Sequence, residues 1–353
     1  MGRSKALWAA VASAGLAVFT GCLPYHQGAM PGEPEGSYVV LRAEPPQVPA
    51  RTTGDPESLV RGLNVARVRY EVRGQGPAIL LLHGFASALD AWDVLAPELA
   101  ERHTVVRLDL MGFGWSDRPE GDYSPFAQAR LCFALLDQLG ISDVAVVGHS
   151  WGASVAMAMA LEAPERVRRL ALYDAWAYEE QLPTFFWWAR AEGLGEAMFW
   201  LYYKERTEDR MAMAFHDPDL LTQPLVDAIH AALERPGTVR AALEAARAQR
   251  YEDWAVRYPE ITQPTLLLWG AQDVISPPWV GERLLRELPN ARLEVYGQCG
   301  HFPMLEARHA STRALREFMA PPGAAATRTL APVPGSATPH AGSGVLATGV
   351  VTP

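Results

Sequence analysis

Gly148-His149-Ser150-Trp151-Gly152 is the stretch that decides the fold. An apolar, β-branched run, Val144-Ala145-Val146-Val147, precedes it, and residues 153–160 that follow are rich in helix formers. This order predicts a strand, a sharp turn and a helix, with Ser150 at the turn. The flanking glycines carry no Cβ atom, so the strand and the helix can approach closely and the serine hydroxyl can point out of the fold. The stretch therefore predicts a nucleophilic serine on a strained turn.

Composition and charge exclude several classes of function. The 353 residues are 49% hydrophobic and 20% charged, as in ordinary globular proteins. The formal net charge is −9 and no basic stripe stands out, so we expect no nucleic-acid partner. No cysteine–histidine spacing indicates zinc, and no Gly-x-Gly-x-x-Gly follows a first strand. The sequence therefore predicts neither a metal nor an organic cofactor, and it leaves the oligomeric state open.

Residues 1–21 have the pattern of a signal peptide. Arg3 and Lys5 form a basic region, and residues 6–20 are apolar, uncharged and short for a membrane span. Phe19-Thr20-Gly21-Cys22 then resembles a bacterial lipobox, although that pattern usually has Leu where Phe19 stands. We expect the mature chain to begin at a lipidated Cys22 and to be anchored to a membrane of the bacterial cell envelope, on its periplasmic or surface side. The alternatives are a plain secretory signal and an uncleaved anchor.

Two further segments lack the bulky, periodic residues that a core requires. Residues 22–60 are rich in Pro, Gly and Glu, which predicts a lipidated N-terminus followed by a semi-extended linker. Residues 321–353 consist largely of Ala, Gly, Pro, Ser and Thr, which predicts a disordered tail. The folded part is therefore expected between residues 61 and 320.

Strand-like and helix-like runs alternate in the expected folded part. The predicted strands are residues 65–72, 78–82, 104–108, 143–147, 167–173, 265–269 and 291–296. The predicted helices are residues 88–102, 124–139, 150–163, 278–288 and 303–319. Alternation of this kind implies an α/β fold with a mostly parallel sheet and helices on both faces. We assign residues 61–174 and 260–320 to this core.

Residues 175–259 interrupt the alternation, because they contain no convincing strand and are helical in propensity. They also contain two aromatic runs, Phe185-Phe186-Trp187-Trp188 and Phe199-Trp200-Leu201-Tyr202-Tyr203. Since the segment lies between two core strands, we interpret it as a helical cap inserted into the core. Some of its rings are expected to line an apolar pocket, and the others to pack the cap onto the core.

Two residues that follow Ser150 in the chain can complete a nucleophilic site. A serine hydroxyl needs a base beside it, and a histidine base needs a carboxylate that fixes its tautomer. Asp273 follows one predicted strand and His301 follows the next, so both are expected at the carboxyl ends of parallel strands. Asp174, at the end of an earlier strand, is the alternative acid. His83 fits a loop-shaping role better than a catalytic one.

These pieces together resemble the α/β-hydrolase fold superfamily, in particular its capped, serine-nucleophile, esterase-like members. The resemblance runs from about residue 61 to residue 319. It rests on His83-Gly84-Phe85, the glycine-rich segment at residues 109–117, the stretch around Ser150, the segment at residues 270–273 and Gly300-His301. It implies a Ser150–Asp273–His301 triad, with an oxyanion hole formed by the backbone N–H groups of Phe85 and Trp151.

The nucleophile type decides the expected chemistry. The residues that flank Ser150, Gly148-His149 and Trp151-Gly152, are similar to those of the nucleophile turn in epoxide hydrolases, which has aspartate in place of the serine. A serine alkylated by sp³ carbon would become a stable ether, so serine implies attack on an acyl carbon and an acyl-enzyme intermediate. We expect a serine hydrolase, a carboxylesterase acting on a hydrophobic small molecule. The alternatives are a carbon–carbon bond hydrolase of the ring-cleavage-product type and a non-catalytic surface lipoprotein that uses the fold for binding.

Overall fold

The computed structural model describes residues 32–43, 64–202 and 207–320. Within these ranges, eight strands form one sheet in the order β1-β2-β4-β3-β5-β6-β7-β8. The strands are β1 (Ser37–Ala43), β2 (Asn64–Arg73), β3 (Ala78–Leu82), β4 (Thr104–Leu108), β5 (Val144–His149), β6 (Val167–Tyr173), β7 (Thr265–Gly270) and β8 (Ala291–Tyr296). The predicted signal peptide, Cys22 and the predicted tail after residue 320 lie outside the described residues.

The sheet is mostly parallel, which confirms the predicted fold class. β1 and β2 pair antiparallel to each other, and β2 pairs antiparallel with β4. All the remaining pairs, from β4 across to β8, are parallel. The carboxyl ends of β3, β5, β6, β7 and β8 therefore lie at one edge of the sheet, where ligand sites of open α/β sheets occur.

Helices cover the sheet and insert between two of its strands. They are α1 (Ala96–Ala100), α2 (Pro125–Gln138), α3 (Trp151–Glu162), α4 (Thr184–Ala189), α5 (Leu194–Tyr202), α6 (Thr207–Ala212), α7 (Gln223–Leu233), α8 (Thr238–Arg247), α9 (Pro278–Glu287), α10 (Pro303–Glu306) and α11 (Arg308–Met319). The insertion, α4 to α8, follows β6 and precedes β7, inside the segment predicted as the cap. None of the described helices is long and apolar enough to cross a bilayer.

Alternate residues of the central strands pack on opposite faces of the sheet. In β3, Leu80 and Leu82 join the apolar cluster on the face covered by α2, α3 and α9. Ile79 and Leu81 join the cluster on the other face, with α1 and α11. Every residue of β3 is buried, as expected of a strand covered on both sides.

The structure corrects three of the sequence predictions. The predicted helix at residues 88–102 is a short 3₁₀ helix, Leu89–Trp92, followed by the five-residue α1. The predicted linker, residues 22–60, contains β1, so the sheet begins at Ser37 and not near residue 61. Leu41 of β1 is buried in the core cluster, whereas Val40 on the opposite face is 67% exposed. The predicted helix at residues 303–319 is two helices, because Ala307 has φ −109° and ψ 37° and leaves the helical region.

Substitutions on the buried and the exposed face of β1 test whether this strand is part of the core. Leu41→Ala should lower the free energy of unfolding by about 2–3 kcal/mol, since a buried leucine loses its contacts and leaves a cavity. Val40→Ala, one residue away on the exposed face, should change it by less than about 0.5 kcal/mol. Urea unfolding of both variants measures the difference. Equal, small effects would show that β1 is not part of the core.

Candidate active site

Ser150 lies on the turn between β5 and α3, in a strained backbone conformation. Its φ is 53° and its ψ is −118°, which is unusual for any residue with a side chain. The serine N–H donates to the carbonyl oxygen of Tyr173 at 2.9 Å, and the serine carbonyl accepts from the N–H of Trp176 at 3.0 Å. The end of β6 thus holds the backbone of the turn on both sides of the serine.

The two glycines of the turn are required by close backbone contacts. A Cβ atom on Gly148 would lie 2.5 Å from the carbonyl oxygen of Gly152, where α3 begins. A Cβ atom on Gly152 would overlap the carbonyl oxygens of Leu82 and His83 at the end of β3. These contacts pack β5, α3 and β3 tightly enough to impose the strained conformation on Ser150.

Asp273 and His301, predicted from separate loops, form a buried hydrogen-bonded pair. His301 Nδ1 and Asp273 Oδ2 are 2.7 Å apart, and both side chains are almost completely buried. The other carboxylate oxygen of Asp273 accepts from the N–H groups of Ile275 at 2.7 Å and Ser276 at 2.9 Å. Three donors therefore fix the orientation of the Asp273 carboxylate.

Contacts with the serine turn place His301 beside it. His149 Nε2 donates to the carbonyl oxygen of His301 at 2.7 Å, and the two imidazole rings are 4.8 Å apart. The His301 N–H donates to the carbonyl oxygen of Ala214 in the cap segment at 2.8 Å. Burial, together with the nearby His301, holds the pKa of His149 well below its usual value, so His149 stays a neutral donor. The sequence did not predict that the Ala214 carbonyl accepts from the backbone of His301, because this contact forms only when the cap segment folds against the loop after β8.

Two backbone N–H groups beside Ser150 have no acceptor within the described ranges. They belong to Trp151, the first residue of α3, and to Phe85, which follows the close contact between Gly84 and Ser150. The N–H groups in the first turn of a helix have no partner inside that helix. Both predicted oxyanion-hole donors are therefore available to an oxygen that approaches the serine.

Asp174 lies next to Asp273, although the sequence presented the two as alternatives. Asp174 is fully buried with φ 43°, and its Oδ1 accepts from the N–H of Gly270 at 2.9 Å. Asp174, Asp273 and His301 each bring one N or O atom within 4.8 Å of the others, close enough to share a metal ion. The 2.7 Å bond between His301 and Asp273, however, already uses the ring nitrogen and one carboxylate oxygen.

The buried His83 supports the loop that carries Phe85. Its Nε2 accepts from the N–H of Leu110 at 2.9 Å, and its Nδ1 is 2.8 Å from the carbonyl oxygen of Gly84. Burial lowers the pKa of His83 to about 4, so this ring is neutral at pH 7. These contacts match the loop-shaping role predicted for it.

Aromatic rings enclose Phe85 from the core and from the cap. Phe113 and Trp151 contact it from the core at ring-centre distances of 5.3 and 6.2 Å. Trp176 and Phe186 contact it from the cap side at 5.9 and 5.2 Å. Within the first predicted aromatic run, Phe186 is buried in contact with Phe85, whereas its neighbours Trp187 and Trp188 are about half exposed. Tyr203 of the second run lies outside the described residues.

A sequence profile of the alpha/beta hydrolase fold matches residues 77–307, about two thirds of the chain. The chain belongs to the α/β-hydrolase family. The matched region contains the strained serine, the Asp273–His301 pair and the N–H groups of Phe85 and Trp151.

Relatives of this α/β-hydrolase include enzymes of two kinds. A 2-hydroxymuconate semialdehyde hydrolase of Pseudomonas putida is 31% identical over 72% of this chain and 91% of its own length. A thermophilic esterase from Thermogutta terrifontis is 26% identical with a TM-score of 0.60, over 79% of this chain and 97% of its own. A meta-cleavage product hydrolase of Pseudomonas fluorescens IP01 is 25% identical with a TM-score of 0.60, over 72% and 94%.

The glycine contacts predict that Gly152→Ala destabilises the protein and lowers its activity. Alanine favours a helix by about 1 kcal/mol, but a Cβ that meets two carbonyl oxygens should cost more, giving a net loss of about 1–3 kcal/mol. Gly297→Ala is the control, because its added Cβ meets no atom within 4 Å. Thermal unfolding of both variants measures the effect. A Gly152→Ala protein as stable as wild type would contradict the tight packing of the turn.

Proposed function

We propose that this α/β-hydrolase is a serine hydrolase that cleaves carboxylic esters of hydrophobic small molecules through an acyl-enzyme. The observation that carries the proposal is the strained Ser150, whose neighbour His149 bonds to His301 of the buried Asp273–His301 pair, together with two backbone N–H groups that have no acceptor among the described residues. Nucleophile, base, orienting acid and oxyanion donors are the complete set that acyl transfer requires.

In the proposed mechanism, Ser150 Oγ attacks the carbonyl carbon of the ester while His301 Nε2 takes the hydroxyl proton. Asp273 holds the other ring nitrogen through the 2.7 Å bond and stabilises the imidazolium that forms. The N–H groups of Phe85 and Trp151 bind the negative oxygen, an effect worth about 3–4 kcal/mol per donor in a comparable enzyme. His301 then protonates the leaving alcohol, and a water activated by the same ring releases the acid.

The surroundings of the site favour an uncharged, apolar substrate. The four rings that contact Phe85, whose N–H is a proposed oxyanion donor, are apolar and uncharged. The cap residue Arg190 is paired with Glu179 and donates to the carbonyl oxygen of Gln249 at 2.9 Å. Apolar walls with a few convergent polar groups are typical of sites for small hydrophobic molecules.

The second candidate is hydrolysis of a carbon–carbon bond in a ring-cleavage product. The relatives favour it, because the Pseudomonas putida protein is a 2-hydroxymuconate semialdehyde hydrolase. A muconate semialdehyde carries a carboxylate, whereas the rings that contact Phe85 are uncharged. We therefore place ester hydrolysis first. Comparing kcat/KM for 2-hydroxymuconate semialdehyde with that for a series of p-nitrophenyl esters of increasing acyl length separates the two activities.

Removal of the nucleophile is the direct test of the proposed mechanism. Ser150→Ala should lower kcat/KM for a p-nitrophenyl ester by about 10⁴-fold or more, since no other described group replaces the serine. Ser142→Ala, the same substitution at an exposed serine, should leave it unchanged. Circular dichroism shows whether both variants are folded. Retained hydrolysis in a folded Ser150→Ala protein would refute the mechanism, and a wild-type protein inert toward both substrate classes would support a binding role.

We also propose that the protein is anchored to the cell envelope through lipid at Cys22, a proposal that rests on the lipobox-like sequence alone. Cys22→Ala should move the protein out of the membrane fraction, because the attached acyl chains provide the binding. Fractionation and metabolic labelling with a radioactive fatty acid measure this, with Cys132→Ala, a buried cysteine, as the control. An unmodified N-terminus downstream of Cys22, found by mass spectrometry, would contradict it.

A further inference from the structure

A second buried carboxyl group, that of Asp174, lies beside the acid of the proposed triad. Asp174 ends the β6 segment, and the positive φ of its backbone turns its side chain toward the loop after β7. Its Oδ1 accepts one N–H, from Gly270, whereas its Oδ2 is buried and has no hydrogen-bond partner within the described ranges. A buried polar atom without a partner is costly, so the position calls for a physical explanation.

Two buried carboxyl groups this close cannot both be ionised without a cation between them. The hydrogen bonds decide which of them holds the charge. Asp273 has three donors, from Ile275, Ser276 and His301, whereas Asp174 has one. The negative charge therefore belongs to Asp273, and the pair carries one proton on Asp174.

We propose that Asp174 is a positioning residue that stays protonated and donates its hydrogen toward Asp273, which holds the Asp273 carboxylate against His301 Nδ1. This inference rests on the proposed function of the Ser150 site, whose acid it supports. It accounts for the unpaired Oδ2, because that atom becomes the donor and the Asp273 carboxylate the acceptor.

The charged and titratable groups that face Asp174 leave it protonated. Asp273 comes from the loop after β7 and Glu306 from α10, and both carry negative charge toward it. His301, from the loop after β8, lies within 4.8 Å and is hydrogen-bonded through Nδ1 to Asp273. Cys299 and Tyr173 face it with pKa values that burial raises, so both are neutral. Burial first, and then the charge of Asp273, raises the pKa of Asp174 well above its usual range.

The proposed hydrogen bond affects the base of the triad through Asp273. A carboxylate that accepts a further hydrogen bond attracts the His301 proton less strongly, so His301 is free to act as a base at lower pH. Loss of that donor should make the His301–Asp273 pair hold its proton more tightly. The acidic side of the pH profile of kcat/KM, its acid limb, would then move to higher pH. Loss of Asp174 as a packing residue alone would not produce this shift.

The test compares pH profiles of ester hydrolysis for Asp174→Asn and Asp174→Ala. Asparagine keeps an acceptor for Gly270 and a donor toward Asp273, so its kcat/KM should stay within about threefold of wild type with the same acid limb. Alanine removes the donor, so kcat/KM should fall about tenfold and the acid limb should rise by about half a pH unit or more. Asp143→Ala, at an exposed aspartate, is the control and should match wild type.

Infrared spectroscopy tests the protonation itself and needs no substrate. The wild-type protein at pH 7 should show the C=O stretch of a buried, protonated carboxyl group, and Asp174→Asn should lack it. The proposal is overturned if this band is absent from wild type, or if Asp174→Ala leaves the acid limb unmoved. It is also overturned if Asp174→Asn abolishes activity, because Asp174 would then be the ionised acid. Failure of the proposed function itself would appear separately, as a wild-type protein that hydrolyses no ester.

Discussion

The strained turn at Ser150 is the constraint on which the rest of the site depends. A serine with φ 53° is stable only because β3, β5 and α3 pack so closely that Gly148 and Gly152 have no room for a Cβ atom. The same turn starts α3, so the free N–H of Trp151 lies directly after the nucleophile. One backbone conformation thus positions both the serine and one of the two proposed oxyanion donors.

The parallel sheet supplies the other groups by gathering the carboxyl ends of its strands. Asp174 follows β6, Asp273 follows β7 and His301 follows β8, three neighbouring strands in the sheet. Burial strengthens every interaction among these groups, which is why a single hydrogen bond can fix the imidazole and why two adjacent carboxyl groups share a proton. Trp176 and Phe186 of the cap segment contact Phe85 and make its surroundings apolar.

Much of this arrangement could be predicted from the sequence. Strands such as β3 are buried on both faces and therefore appear as continuous apolar runs. β1 was missed because only one of its faces is buried, with Leu41 inside and Val40 outside, between proline-rich segments. The contact of Asp174 with Asp273 could not be predicted, since it requires that β6 and β7, about 90 residues apart in the chain, be neighbours in the sheet. The contact of Phe186 with Phe85 likewise could not be predicted, because it depends on the orientation of α4 about its own axis.

The most direct test of the central claim is a crystal structure of the protein after reaction with an alkyl fluorophosphonate. We expect a covalent bond from phosphorus to Ser150 Oγ, with the phosphoryl oxygen about 2.7–3.1 Å from the backbone nitrogens of both Phe85 and Trp151. His301 should remain bonded to Asp273 and face the adduct. Reaction at another residue, or a phosphoryl oxygen directed away from both N–H groups, would contradict the account.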